Sequence, residues 1–269
     1  MYYDNIAMYS ESKITHSFTR ALASYNQEAT VQKECANKLG RYLINCLTEA
    51  GANTKFENVF EFGCGTGFLS QQLIEKLTIS KLVLNDLVKE SYHHLPPNVQ
   101  SFGYGFIHGD IDTVKLNNFH DLICSASCVQ WSKDLPSLLQ KLNASLSKDG
   151  YLAISSFTKG HFNELSLLNH KLNENNPPLN YWTIEKWQEQ LPSCFEIQLI
   201  KSDNKTQWFN SVRDVLLHLR LTGVNGNTRR TWHQQDLVQF EREYEDKFSV
   251  NKKIPLTYCP IYIIARKLA

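Results

Sequence analysis

Val59-Phe60-Glu61-Phe62-Gly63-Cys64-Gly65-Thr66-Gly67 decides how the chain is read. An apolar run ends in an acid and three glycines at every second position. Phe68, Leu69, Leu73, Ile74 and Leu77 follow at helical spacing. The stretch therefore reads as a buried strand, a tight turn and a helix whose N-terminus faces the turn. Glycines let backbone approach a ligand closely, and the free N–H groups of a helix start favour a polar or anionic group. A dinucleotide fingerprint would need glycine at position 68, which is Phe, and no phosphate-loop Gly-Lys-Ser/Thr is present.

Working outward, Lys81 to Asp86 reads as a second strand ending in a carboxylate. An acid about 20 residues past such glycines suits the two hydroxyls of a ribose. Phe106 to Asp110 is a short third strand ending in Gly-Asp, and Asp110 there is placed to accept an adenine amino group or to cap a turn. Asp121 to Ser127 is a fourth strand with small residues at its end, and Tyr151 to Phe157 a fifth. A helix from Asp134 to Leu146 lies between these two. This alternation predicts a parallel sheet with helices on both faces. Ligands in such sheets bind beyond the strand C-termini, where Glu61, Asp86, Asp110 and Ser125 fall.

Before the glycine turn, residues 1–17 read as a polar, frayed end, and a helix runs to about Ala50. The segment from Ser17 to Gln32 reads either as a structural arm or as one that lends Tyr25 or Gln32 to the ligand site. Beyond residue 157 the pattern loosens. Pro96-Pro97 reads as breaking the short helix that follows Asp86, and the region from Thr158, with Asn and Pro gathered over Asn173 to Asn180, as a connection containing a helix. Thr183 caps a helix that ends before Pro192. Phe195 to Lys201 alternates as a strand, with a short extended piece at Trp208. Helices are predicted over 211–221 and 233–247, with a loop at 225–227 between them, and one long strand over 256–266.

Composition sets bounds. The 269 residues carry a net charge of +1, which predicts no nucleic-acid partner. The seven cysteines are scattered without a C-x-x-C pair, which points to free thiols in a reducing cytosol and not to a metal site. No apolar run is long enough to span a membrane, and the N-terminus lacks a signal-peptide core. A cytoplasmic, monomeric protein is expected. His93-His94 sit in a polar, solvent-facing segment.

Several stretches together carry a family resemblance. E-x-G-x-G-x-G at 61–67 resembles motif I of the class I S-adenosyl-L-methionine (SAM) methyltransferases. Arg20 to Tyr25 with Gln32, Gly109-Asp110-Ile111, Cys128-Val129-Gln130-Trp131, Leu219 to Val224 and Pro255 to Tyr258 are more specific. From about residue 17 to 267 the chain resembles the malonyl-acyl-carrier-protein O-methyltransferases of biotin synthesis. Thr66-Gly67 where that family often has Pro-Gly, and Glu61 where it often has Asp, are conservative departures.

The resemblance implies one Rossmann-like α/β domain over 1–269, with a seven-stranded, mostly parallel sheet and an antiparallel last strand. It adds a helical arm at 17–50 and lid segments within 158–250. It implies methyl transfer from SAM to the free carboxyl of malonyl-acyl carrier protein or malonyl-coenzyme A. Glu61, Gly63, Gly65, Asp86, Leu87, Asp110, Ile111, Ser125 and Gln32 would hold the cofactor. Tyr25 and Trp131 would position the acceptor and exclude water. Arg20 and Arg220 would meet the malonyl carboxylate, Arg220 as a bidentate clamp or as a surface residue. Arg229-Arg230 or Lys252-Lys253 would dock an acidic carrier protein. A carboxylate is its own nucleophile at neutral pH, so no general base is required. Two other readings stay open: methylation of another small carboxylate or a quinone-type ring, and a non-catalytic partner protein with a methyltransferase fold.

Overall fold

The computed structural model describes residues 11–116, 119–168, 181–224 and 234–268. Two helices come first, α1 (Glu11–Glu28) and α2 (Thr30–Glu49). The sheet unit follows as β1 (Lys55–Phe62), α3 (Phe68–Lys76), β2 (Thr78–Asp86), α4 (Pro97–Phe102) and β3 (Gly105–His108). It continues with β4 (His120–Ala126), α5 (Leu135–Ser145), β5 (Leu146–Phe157), α6 (Asn163–Leu168), α7 (Ile184–Gln190) and β6 (Phe195–Ser202). The chain ends with β7 (Lys205–Phe209), α8 (Val212–Leu221), α9 (Gln234–Phe248), β8 (Ile254–Tyr258) and β9 (Pro260–Lys267).

Seven strands form one sheet in the order β3-β2-β1-β4-β5-β9-β6, with β9 antiparallel to both neighbours. Strand order reverses between β1 and β4, and that switch point opens a crevice at the strand ends. The core divides by the pleat. Val59, Leu122 and Cys124 face the layer that includes α2 and α3, while Phe60, Phe62, Ile123 and Leu152 face α5 and α7. Helix α2 buries Val31, Cys35, Ala36, Leu39, Leu43 and Leu47 along one stripe. Local capping sets three helix starts: Asp134 accepts from Ser137 N, Thr183 from Lys186 N and Ser211 from Asp214 N.

Three expectations need correction. The helical arm starts at Glu11, inside the stretch read as frayed, and breaks at Ala29 into two helices instead of running as one. Pro96-Pro97 does end a short 3-10 helix, Lys89–His94, as expected, and Pro97 also starts α4, in whose first turn a missing N–H costs nothing. The final run is two strands. β8 pairs with β7 in a small second sheet, and β9 enters the main sheet. Pro260 lacks the amide hydrogen that a continuous ladder would need. The predicted segments at 173–180 and 225–227, and His233, lie outside the described residues.

A buried pair helps tie the small sheet to α8. His218 Nε2 and the Tyr258 hydroxyl are 2.6 Å apart, and burial pushes the imidazole down to about 4. The ring is therefore neutral at pH 7 and shares a single proton in this bond. Tyr258→Phe leaves a buried ring nitrogen without its partner. It is expected to cost about 1–3 kcal/mol in urea unfolding, with an unchanged denaturant slope.

Candidate functional site

A cleft of about 950 Å³, open mouth included, lies at the switch point. Its floor is Gly63, Gly65 and Thr66 past β1, Asn85 to Val88 at the end of β2, Gly109 to Ile111 after β3, and Ala126 to Cys128 at the end of β4. Helix α1 closes one side with Glu11, Ile14, Phe18, Leu22 and Tyr25, and Trp131, Ser132 and Lys133 complete the wall. Phe18 and Trp131 meet edge to face with centroids 5.4 Å apart, and Tyr25 stacks on Phe68 at 5.9 Å. Such pairs make the covering arm part of the site.

The turn after β1 has a geometric reason. Gly63 has φ +62, and a side chain there would meet Cys128 Sγ at 2.3 Å. Gly65 has φ +52 and nothing within 4 Å of the place a side chain would occupy, so bare backbone faces open space. Asp86 holds that backbone. Its Oδ2 accepts from Gly65 N at 2.7 Å and its Oδ1 from Val88 N at 2.8 Å. Burial raises its pKa, and these two amides oppose the shift. Each carboxylate oxygen keeps a further lone pair. Asn85 Nδ2 donates to the carbonyls of Ile107 and Gly109, both at 2.9 Å, locking β2 to the turn after β3.

Asp110 does two things. Its Oδ1 accepts from Asp112 N at 3.0 Å, the turn-capping arrangement, and its Oδ2 receives Lys133 Nζ at 3.1 Å. Lys133 also lies 3.8 Å from Glu11, so the arm is linked electrostatically to the far wall. Thiols and phenols nearby are held neutral. Burial pushes Cys35 up to about 11 and raises Cys128 and Tyr25. The described residues include no group of side chains suited to holding a metal ion. They include no helix long and apolar enough to cross a membrane.

Of the sequence-predicted residues, Gly63, Gly65, Asp86, Leu87, Asp110, Ile111, Tyr25 and Trp131 line this cleft. Others do not. Glu61 is 1% exposed and accepts from Ser70 Oγ at 2.7 Å, bracing β1 against α3. Ser125 is fully buried and donates to the Phe62 carbonyl at 2.8 Å. Gln32 is buried on α2, its Oε1 without a partner. Arg20 and Arg220 are both exposed on their helices and neither lines the cleft. Arg229-Arg230 lie outside the described residues. Sequence reasoning missed Glu11, Ile14 and Asn85, and also Ser127 and Lys133. Asn85 was the most findable, because it precedes the strand-end acid.

Residues 53–213 match a family model described as a methyltransferase domain. The N-methyltransferase NodS of Bradyrhizobium japonicum, solved in complex with S-adenosyl-L-homocysteine, shares the fold at a TM-score of 0.55 and 12% identity, over 95% of this chain and 98% of that one. Fold and cleft thus define a class I methyltransferase. The malonyl-[acyl-carrier protein] O-methyltransferase of Acinetobacter baylyi is 33% identical over 96% of this chain and 97% of its own length. That of Calditerrivibrio nitroreducens is 34% identical over 94% and 95%. The chain belongs to the malonyl-[acyl-carrier protein] O-methyltransferase family.

Burial pushes the Glu61 carboxyl up to about 8, against the Ser70 hydrogen bond, with Asp86 adding to the rise. The folded protein then holds this proton more tightly than the unfolded chain does. Its contribution is full below the ordinary carboxylate range and is lost as pH rises through 8. Glu61→Gln carries no such proton. Between about pH 5 and about pH 8 its stability relative to the native protein should climb, by up to ~1.4 kcal/mol per pH unit. Urea midpoints across that range measure this, and a flat difference would refute the assignment.

Proposed function

We propose that this protein transfers a methyl group from S-adenosyl-L-methionine to the free carboxyl of a malonyl group on acyl carrier protein, giving the methyl ester. The observation that carries the reading is the cleft at the switch point, where bare backbone at Gly65 and the Asp86 carboxylate stand together. The full-length similarity to relatives named for this reaction supports it. Their names also support a place in the synthesis of biotin, by the resemblance already described.

The residues present fit the donor. Asp86 can accept from both ribose hydroxyls on its remaining lone pairs while the Gly65 and Val88 amides fix it. Ile111 and Leu87 offer apolar surface for a base, and Asp110 an acceptor at its edge. When bound, S-adenosyl-L-methionine supplies an electrophilic methyl on a sulfonium: the acceptor oxygen bonds to that carbon as the carbon–sulfur bond breaks, the electron pair passing to sulfur.

No proton moves in this transfer, which agrees with the groups found at the cleft. Tyr25 and the neighbouring thiols are held in their neutral forms, and no histidine is among the described residues that line the cleft. The chain's task is then orientation and exclusion of water. Phe18, Trp131 and Tyr25 provide the exclusion by closing the arm over the floor.

The test is mass spectrometry of malonyl-acyl carrier protein, malonyl-coenzyme A and free malonate, each with S-adenosyl-L-methionine and the protein. One added methyl on the carrier-bound malonyl group is expected. Methylation of free malonate alone would move the reading to a small-carboxylate enzyme. No methylation of any malonyl substrate would overturn it. Asp86→Ala should weaken S-adenosyl-L-methionine binding by about 2–4 kcal/mol in calorimetry. Affinity within twofold of the native protein would remove Asp86 from the ribose role.

A further inference from the structure

We propose that the acceptor carboxylate is seated by uncharged hydrogen-bond donors, Ser127 at the centre with Tyr25 beside it, and not by a guanidinium. The proposal rests on the malonyl reading above and specifies how that site recognises its anion.

Ser127 is the first residue past β4 and lines the cleft. Its φ is 56°, a left-handed conformation uncommon for any residue with a side chain. The backbone is pinned there by its amide, which donates to the Ser155 carbonyl at 3.0 Å. Its Oγ is buried and makes no well-formed hydrogen bond, with only the weakly polar Cys35 thiol beside it. Backbone strain and an unmade hydrogen bond at one residue both oppose folding, and they coincide where a ligand completes the bonding. The neighbourhood repeats the pattern. Ser155 Oγ, on the adjacent strand end, is buried and unpartnered, and so is Gln32 Oε1.

Further polar groups lie behind Ser127, outside the cleft lining. The Cys35 thiol stands beside Ser127 and accepts the Tyr262 hydroxyl at 3.7 Å. Tyr262 is the ladder partner of Ser155. Gln32 lies one turn before Cys35 on the same buried stripe of α2. The Tyr25 phenol is close enough to Cys35 and Cys128 for both to act on it. Of these hydroxyls, those of Ser127 and Tyr25 belong to the cleft lining, one at the β4 end and one on the arm.

Cations do not. Among the described residues that line the cleft, Lys133 is the one Lys or Arg, and it is engaged with Asp110 and Glu11. Arg20 and Arg220 point to solvent. The chemistry favours this arrangement. The carboxylate loses its charge as it takes the methyl, so a guanidinium would stabilise the starting anion more than the transition state. Neutral donors orient the oxygen with less of that penalty, and the sulfonium of the methyl donor supplies the counter-charge.

The experiment measures malonyl-acyl carrier protein kinetics, with S-adenosyl-L-methionine affinity followed separately by calorimetry. Ser127→Gly suits the left-handed backbone, so the variant keeps the fold while losing the hydroxymethyl group. It should raise the malonyl KM at least about tenfold with donor affinity within about twofold. Tyr25→Phe should add to the loss, and Arg20→Ala with Arg220→Ala should keep native kcat/KM. A native malonyl KM in Ser127→Gly overturns the proposal and leaves the function standing. So does an equal loss of donor affinity, which would put Ser127 in the donor site. A tenfold loss in the arginine double variant would restore the guanidinium clamp. If the native protein methylates no malonyl substrate, the functional reading itself falls, and this proposal with it.

Discussion

The cleft depends on one carboxylate holding two amides. Asp86 ends β2, and its oxygens reach back to Gly65 in the turn after β1 and forward to Val88. Without it, two sharp turns would bury donors that the parallel ladder cannot satisfy, because both lie past the last paired residues. The charge is retained in a buried place because the amides stabilise its ionised form against the cost of burial. The same atoms that shape the floor are thus, under the proposed function, the ones that would meet the donor's ribose. Structure and recognition are not separable at this position.

Much of this was legible in the sequence, and the reason is the pleat. The strands carry apolar runs bounded by Gly, Asp and Pro, and a glycine turn followed at once by a helical pattern has few alternative readings. What escaped was set by distant partners. The start of α1 carries little apolar content of its own, and Ile14 is buried because the arm lies on the cleft. The division of the last strand at Cys259 depends on where Pro260 must sit in a ladder that begins a hundred residues earlier at Phe157.

The site shows the same boundary more sharply. Residues at or past the final strand position, Gly63, Asp86 and Ser127, open into the cleft. Residues two positions short of those, Glu61 and Ser125, are sealed beneath the helices and serve the scaffold through Ser70 and the Phe62 carbonyl. Sequence reasoning places an acid or serine at a strand end only to within a residue or two, and a shift of that size separates ligand from core. The arginines failed for another reason. A chemical need for a cation was matched to nearby family-like segments, but α1 and α8 turn those side chains to solvent.

That failure points to how the cleft handles charge. Its lining carries Glu11, Asp86 and Asp110 against Lys133, and the lysine is spent on two of the three acids. Tyr25 and the thiols of Cys35 and Cys128 remain neutral through burial. Such a lining attracts a cation and repels an anion. Under the proposed reaction, a sulfonium donor is favoured by the field of the protein, while a malonyl carboxylate alone is not. A bound sulfonium would bring a positive charge of its own into this lining. The carboxylate is then drawn to the one atom it must attack, and the hydroxyls have only to fix its direction.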